Sequence, residues 1–237
     1  MVAPAPSRST GRWWSIATEP ASAGLATIVP AVLAGGRSER FGRDKLLADV
    51  TGRPMVAVPI AALREVFGPR VVVVGLCDPA VRALGDSWLA DDHPGTGPMG
   101  AIATVLDRLG YPTMVLAGDL PAIDAAAVRR LADAFLADPA AAVVLATSGK
   151  HPDLREHPCA ALYGLPMLAT LESGLRRSRF SLREAIGTLP ASAVIRVSLP
   201  ERTLANINDP AELARHLAAS GVTPSPAEAS FRVARDP

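Results

Sequence analysis

The stretch from Leu33 to Lys45, LAGGRSERFGRDK, concentrates the residue types that handle phosphate. An apolar run, Ile28 to Leu33, leads into glycines at Gly35, Gly36 and Gly42, with Arg37, Ser38, Arg40, Arg43 and Lys45 among them. Glycines let a backbone approach a ligand closely, and successive N–H groups can then converge on phosphate oxygens. Arg40 can fork across two such oxygens, while Lys45 supplies a movable point charge. A strand delivering this loop to the carboxyl edge of an α/β sheet puts it where nucleotides bind in such sheets. The chemistry these residues support is capture of a nucleoside triphosphate.

Neither of the better-known phosphate loops is present. GxxxxGK[ST] occurs nowhere in the chain, and the glycines do not fit GxGxxG. A second chemical group comes from residues 115–123, VLAGDLPAI, where an apolar strand pattern ends in Gly118 and Asp119. A carboxylate at that strand end suits Mg²⁺, which takes one or two protein oxygens and leaves its other positions to water and phosphate; Asp119 could instead simply cap a turn before Pro121. Residues 90–102, ADDHPGTGPMGAI, set Asp91 and Asp92 before a turn made by Gly95, Gly97 and Pro98, and Gly100 opens a helix. In LANINDPAEL, residues 204–213, Asn208, Asp209 and Pro210 read as a helix start. His93, His151, His157 and His216 have no metal-ligand spacing, and the two cysteines, Cys77 and Cys159, lie outside any CxxC, so no zinc site is expected.

The whole pattern LAGGxSxRxGxDK resembles the signature of nucleotidyltransferases with a GT-A-like Rossmann fold. Its LAGG start is most similar to the molybdenum cofactor guanylyltransferases, which join GMP from GTP to molybdopterin. The resemblance spans about Ile28 to Leu217 and implies residue roles. Leu33, Ala34, Gly35, Gly36, Gly97, Pro98 and Lys45 would bind the nucleotide. Asp91, with Asp92 as the alternative, would accept from the N1–H and N2–H₂ edge of guanine. Arg40, Lys45 and Asp119 would be catalytic, with Mg²⁺ on Asp119 and Asn208. His157, Arg177 and Asn206, with Arg176 and Arg179 nearby, would receive the acceptor; a lone histidine and an arginine run also read as a structural group and a solvated helix face. The attacking phosphate is already ionised, so no protein nucleophile is needed, and the chain offers no Ser-His-Asp or Cys-His arrangement.

The same resemblance implies GTP and molybdopterin as substrates and transient contacts with other cofactor-biosynthesis proteins. Related cytidylyltransferases tend to carry LAAG, so Gly35 favours guanine, and sugar-phosphate nucleotidyltransferases usually end a longer loop in PK rather than Asp44-Lys45. A non-catalytic nucleotide sensor would have no need of both Asp119 and Asn208. Two departures stand out. Phe41 replaces a usual Met, and Gly75 stands where an Asn contact to the nucleotide is common.

Positioning these groups requires a full domain, and 237 residues with 49% hydrophobic content can build one. The alternation of β-branched runs with helical patterns predicts an α/β protein, a three-layer Rossmann-like fold with a mainly parallel sheet. Strands are expected at 31–33, 70–76, 113–117, 142–146, 160–163 and 193–199, and helices at 55–67, 79–84, 99–109, 125–136, 181–189 and 211–219. Asp124 should cap the helix that follows it. Pro30, lacking a ladder donor, predicts a strand starting at Ala31 or a bulge. Residues 1–26 and 221–237, rich in Ala, Pro and Ser, are expected to be flexible tails around one domain at 27–220. A net charge of +1 argues against nucleic-acid binding. No run is long enough to span a membrane, and no signal-peptide core interrupts the cytoplasmic expectation.

Overall fold

The computed structural model describes residues 23–35 and 44–219. Its centre is β1 (Val29–Leu33), buried and parallel to both neighbours, β4 (Val72–Val74) and β6 (Thr113–Ala117). Strands covered on both faces read as continuous apolar runs, which is why VVVV and TMVLA carry no alternation. The sheet has seven strands in the order β5 (Ser87–Leu89), β4, β1, β6, β8 (Arg155–Tyr163), β7 (Val143–Ser148) and β9 (Val194–Ser198). Only β8 is antiparallel to its neighbours, β6 and β7. A small antiparallel pair, β2 (Asp49–Val50) and β3 (Arg53–Pro54), turns through Thr51 and Gly52 at positive φ.

Helices cover both faces. On one, α2 (Ala57–Phe67) and α5 (Ala125–Ala137) bury Leu63, Phe67, Leu131 and Phe135 against Val32, Met114, Leu116 and Leu162. On the other, α4 (Pro98–Leu109) turns Met99, Ile102, Ala103 and Leu106, spaced as one helical face, onto Val115, Leu145 and Tyr163. The helices α6 (Met167–Arg176) and α7 (Leu182–Gly187) complete that layer through Met167, Leu171 and Ile186. This is the expected three-layer arrangement with a mainly parallel sheet. The short helix α3 (Pro79–Arg82) follows β4, and the last helix, α8 (Pro210–Ala219), joins Leu213 and Leu217 to Met55 and Ile207 in a separate small cluster.

Pro30 departs from its expected place. The strand begins at Val29, and Pro30 pairs in register with Met114 of β6 without a bulge. Val29 N donates towards β6, to Pro112 O, so the Pro30 nitrogen faces β4, whose pairing starts only at Ala31. The missing donor therefore falls where no acceptor waits. Other expectations hold: the Asp124 side chain caps α5 through Ala127 N, and Asp209 caps α8 through Glu212 N.

Several elements were not foreseen, the β2–β3 pair among them. The edge strand β5 and the helix α6 lie outside the expected elements, and β8 is longer than the expected 160–163. Most of the two expected tails lies outside the described residues; within them, Ala23–Ala26 forms a helical turn, α1, whose Leu25 and Ala26 carbonyls accept from Arg70.

The turn before α4 depends on one small residue. A Cβ on Gly100 would collide with the Thr96 hydroxyl and lie 2.8 Å from the His93 carbonyl oxygen. Gly100→Ala should cost about 1–3 kcal/mol of stability, read as a lower urea midpoint at unchanged slope.

Candidate active site

At the carboxyl edge of the sheet lies a cleft of about 300 Å³. Leu33, Ala34 and Gly35 enter it from the end of β1, Gly118 and Asp119 from the end of β6, and Pro98 from the first turn of α4. Lys45 and Asp119 meet at its centre: Nζ lies 2.7 Å from Oδ2, with side chains 21% and 16% exposed. The same ammonium donates to Ile207 O at 3.0 Å, and Ile207 N donates back to Asp119 O at 3.1 Å.

Local sequence explains how Lys45 is held. Asp44 caps a single 3₁₀ turn, Lys45–Leu47, by accepting from Leu46 N, and Leu46 is buried in the core beneath it. Gly118 admits this turn, because a Cβ there would lie 3.0 Å from a Leu46 methyl and 3.2 Å from Leu33 O. The lysine thus rides on an anchored turn.

The far wall comes from β8. Its antiparallel run carries it past the end of β6 and brings His157, Cys159 and Ala160 to the cleft. Pairing with β7 slips between Leu145, opposite Ala161, and Ala146, opposite His157, so the intervening β8 residues form a bulge. The buried Tyr163 hydroxyl donates to Pro158 O within it at 2.7 Å. His157 Nε2 lies 2.9 Å from the hydroxyl of buried Ser148. Burial first, then the Arg155 and Arg183 guanidiniums, holds the His157 pKa below the ordinary imidazole value, against Glu201. Burial pushes the Cys159 thiol up to about 12, with the Asp119 charge adding to it, so this cysteine is no nucleophile.

The expected site residues divide. Leu33, Ala34, Gly35, Lys45, Pro98, Asp119, His157 and Asn206 line one cleft. Gly36 and Arg40, with the rest of residues 36–43, lie outside the described residues. Gly97, at φ 68°, precedes α4 and turns Pro98 inward without lining the cleft itself. Asp92 is held by Arg108 in two 2.7 Å bonds, which draw its pKa down. Asp91 accepts from His93 N and from Thr104, and neither aspartate lines the cleft. Asn208 is exposed, with its Oδ1 accepting from Asn206 Nδ2 at 3.2 Å, so Asn206 is the one of the pair on the cleft wall. Arg176, Arg177 and Arg179 are exposed at the end of α6, where Arg176 pairs with Glu172.

Several lining residues were missed. Leu76 is 79% exposed in the cleft mouth, directly after Gly75, whose φ of 112° folds β4 against Ala34 and Gly35. Cys159 and the supporting Ser148 and Tyr163 were not singled out; in β8, REHPCAALY, the sequence signal lay in His157.

Solved structures share this architecture. Molybdopterin-guanine dinucleotide biosynthesis protein A from Archaeoglobus fulgidus superposes with a TM-score of 0.62 at 21% identity, covering 81% of this chain and 98% of that one. A Mycobacterium tuberculosis protein solved in complex with manganese does so with a TM-score of 0.58 at 18% identity, covering 81% and 99%. The fold is that of the Rossmann-like nucleotidyltransferases. Residues 30–194 match the family described as the MobA-like NTP transferase domain. A probable molybdenum cofactor guanylyltransferase from Opitutus terrae is 32% identical over 197 residues, 80% of this chain and 94% of that protein. The chain belongs to the MobA-like NTP transferase family and is a nucleotidyltransferase. Among the described residues no helix is long and apolar enough to cross a membrane.

The depressed His157 pKa has a consequence for stability. The unfolded chain binds this proton at a higher pH than the folded one, so folding stability is fully present above about pH 6.5 and is lost as the pH falls through the folded pKa. Urea midpoints should decline on acidification below that pH, and His157→Gln should flatten the decline; an identical slope in the variant would contradict the assignment.

Proposed function

We propose that the protein transfers GMP from GTP to the terminal phosphate of molybdopterin, forming the guanine dinucleotide cofactor and pyrophosphate. The observation that carries this reading is the Lys45–Asp119 pair lining one cleft with Leu33–Gly35. The name borne by the Opitutus terrae relative supports the acceptor and the base.

In this reading the backbone at Leu33–Gly36, with Lys45 and Arg40, binds the β- and γ-phosphates. Asp119 would supply a carboxylate oxygen suited to Mg²⁺, with Asn208, hydrogen-bonded to Asn206 of the cleft wall, as the second oxygen the resemblance implies. The donor set fits that ion, which is typically held by one or two carboxylates with phosphate and water: Asp119 offers one carboxylate in the cleft. A cation already stands against the Asp119 carboxylate in the form of the Lys45 ammonium. Held there, Mg²⁺ would supply charge neutralisation to the phosphates. The acceptor phosphate oxygen forms a bond to the α-phosphorus, the bond from that phosphorus to the bridging oxygen breaks, and pyrophosphate leaves. Lys45 and Arg40 stabilise the charge that collects on the departing group. His157, with Arg177 and Asn206, faces or flanks the acceptor. Asp91 is the candidate for reading guanine, since its Oδ2 accepts no bond among the described residues. Other proteins of cofactor assembly would deliver or collect the pterin.

Pyrophosphate release with molybdopterin as acceptor, comparing GTP with CTP in Mg²⁺, tests the proposal. Release with GTP is expected, and Asp119→Ala should lower it at least about a hundredfold while changing GTP affinity far less. Release with CTP alone would move the function to the cytidylyl branch. Release with neither nucleotide, alongside tight GTP binding, would favour a sensor.

A further inference from the structure

The β8 bulge is built around two buried hydroxyls that the reaction itself does not use. Pro158 has no N–H, and its carbonyl, cut off from β7 by the slip in register, takes the hydroxyl hydrogen of fully buried Tyr163 at 2.7 Å. That bond fixes the chain one residue after His157. Ser148, on β7, is equally buried, and among the described residues its hydroxyl has one partner, His157 Nε2 at 2.9 Å.

The direction of this second bond follows from what burial tolerates. Were Nε2–H to donate, the serine hydroxyl hydrogen would be left without an acceptor in the interior. Buried donors without partners are rarer than acceptors with a spare lone pair. The hydroxyl therefore donates to Nε2, and the neutral ring carries its proton on Nδ1. Nδ1 makes no bond among the described residues, and His157 lines the cleft. Burial and the nearby Arg155 and Arg183 disfavour a second proton on the ring. An N–H there can donate to an anion, whereas the opposite tautomer would present a lone pair and repel one.

We propose that Ser148 and Tyr163 are positioning residues that set His157 in the cleft as an Nδ1–H donor to an anionic acceptor group. The acceptor half of this inference rests on the phosphate-bearing acceptor proposed above; the tautomer half does not.

The test is carried out on the full chain with ¹⁵N-labelled histidine, assigning His157 among the four histidines by its absence in His157→Gln. Two-bond ¹⁵N–¹H correlation spectra should show wild-type His157 protonated at Nδ1, and Ser148→Ala should shift it towards the Nε2–H form. In both Ser148→Ala and Tyr163→Phe, the KM for molybdopterin should rise about tenfold, the value of one hydrogen bond to a charged group, with the GTP dissociation constant unchanged. An Nε2–H tautomer in the wild type would overturn the proposal. So would a Ser148→Ala variant that keeps both its tautomer and its KM. If the wild type transfers nothing to molybdopterin while the tautomer behaves as described, the acceptor assignment fails and the positioning of His157 stands.

Discussion

The ion pair between Lys45 and Asp119 ties together three segments that are remote in sequence. Lys45 leaves the glycine loop, Asp119 ends β6, and Ile207, which accepts from the same ammonium and donates to the Asp119 carbonyl, precedes α8. Half-buried ions require partners, and here each satisfies the other while the backbone of the third segment closes the ring. The lysine cannot drift, because Leu46 beside it is anchored in the core and Asp44 caps its turn. The cation and the carboxylate proposed to meet phosphate and metal are thereby delivered to one point. A nucleotide entering with its metal would offer each ion of the pair a new partner.

The sheet explains why that point is open on one side and walled on the other. Parallel β1 and β6 end together, leaving Ala34, Gly35 and the Asp119 carboxylate in one cleft at the carboxyl edge. Antiparallel β8 does not end there. Its first half continues beyond β6, and the bulge aims His157 and Cys159 back over the cleft. The side formed by Leu33–Gly35 and Lys45 therefore carries a lysine, while the opposite wall carries an imidazole whose pKa is held down and a thiol whose pKa is pushed up, both chiefly by burial.

Which residues gather at this edge was legible in the sequence, because the gathering rests on short local patterns: LAGG at a strand end, a lone carboxylate after VLAG, and Asp-Pro at a helix start. What escaped depended on partners far along the chain. Nothing near Asp91 and Asp92 tells which is engaged; Arg108, on α4, takes Asp92. Asn206 and Asn208 differ in place only because Ile207 is drawn under Asp119. The strand β5 is three residues long and exists through its pairing with β4. In α6, Gly174 interrupts the pattern, yet the close approach of Met99, 3.1 Å from where a Cβ would stand, calls for a small residue there. Pro30 misled for the opposite reason: a sound local rule was overridden by an edge of pairing that only tertiary structure defines.

Mn²⁺ binding followed by electron paramagnetic resonance, with GTP present and without acceptor, tests the central claim that Asp119 and Lys45 form the metal–phosphate centre. Bound Mn²⁺ should appear in the wild type with GTP and fall sharply in Asp119→Ala, while nucleotide binding itself persists. Equal Mn²⁺ binding in the two proteins would place the metal elsewhere and contradict the assignment of this edge as the reacting centre.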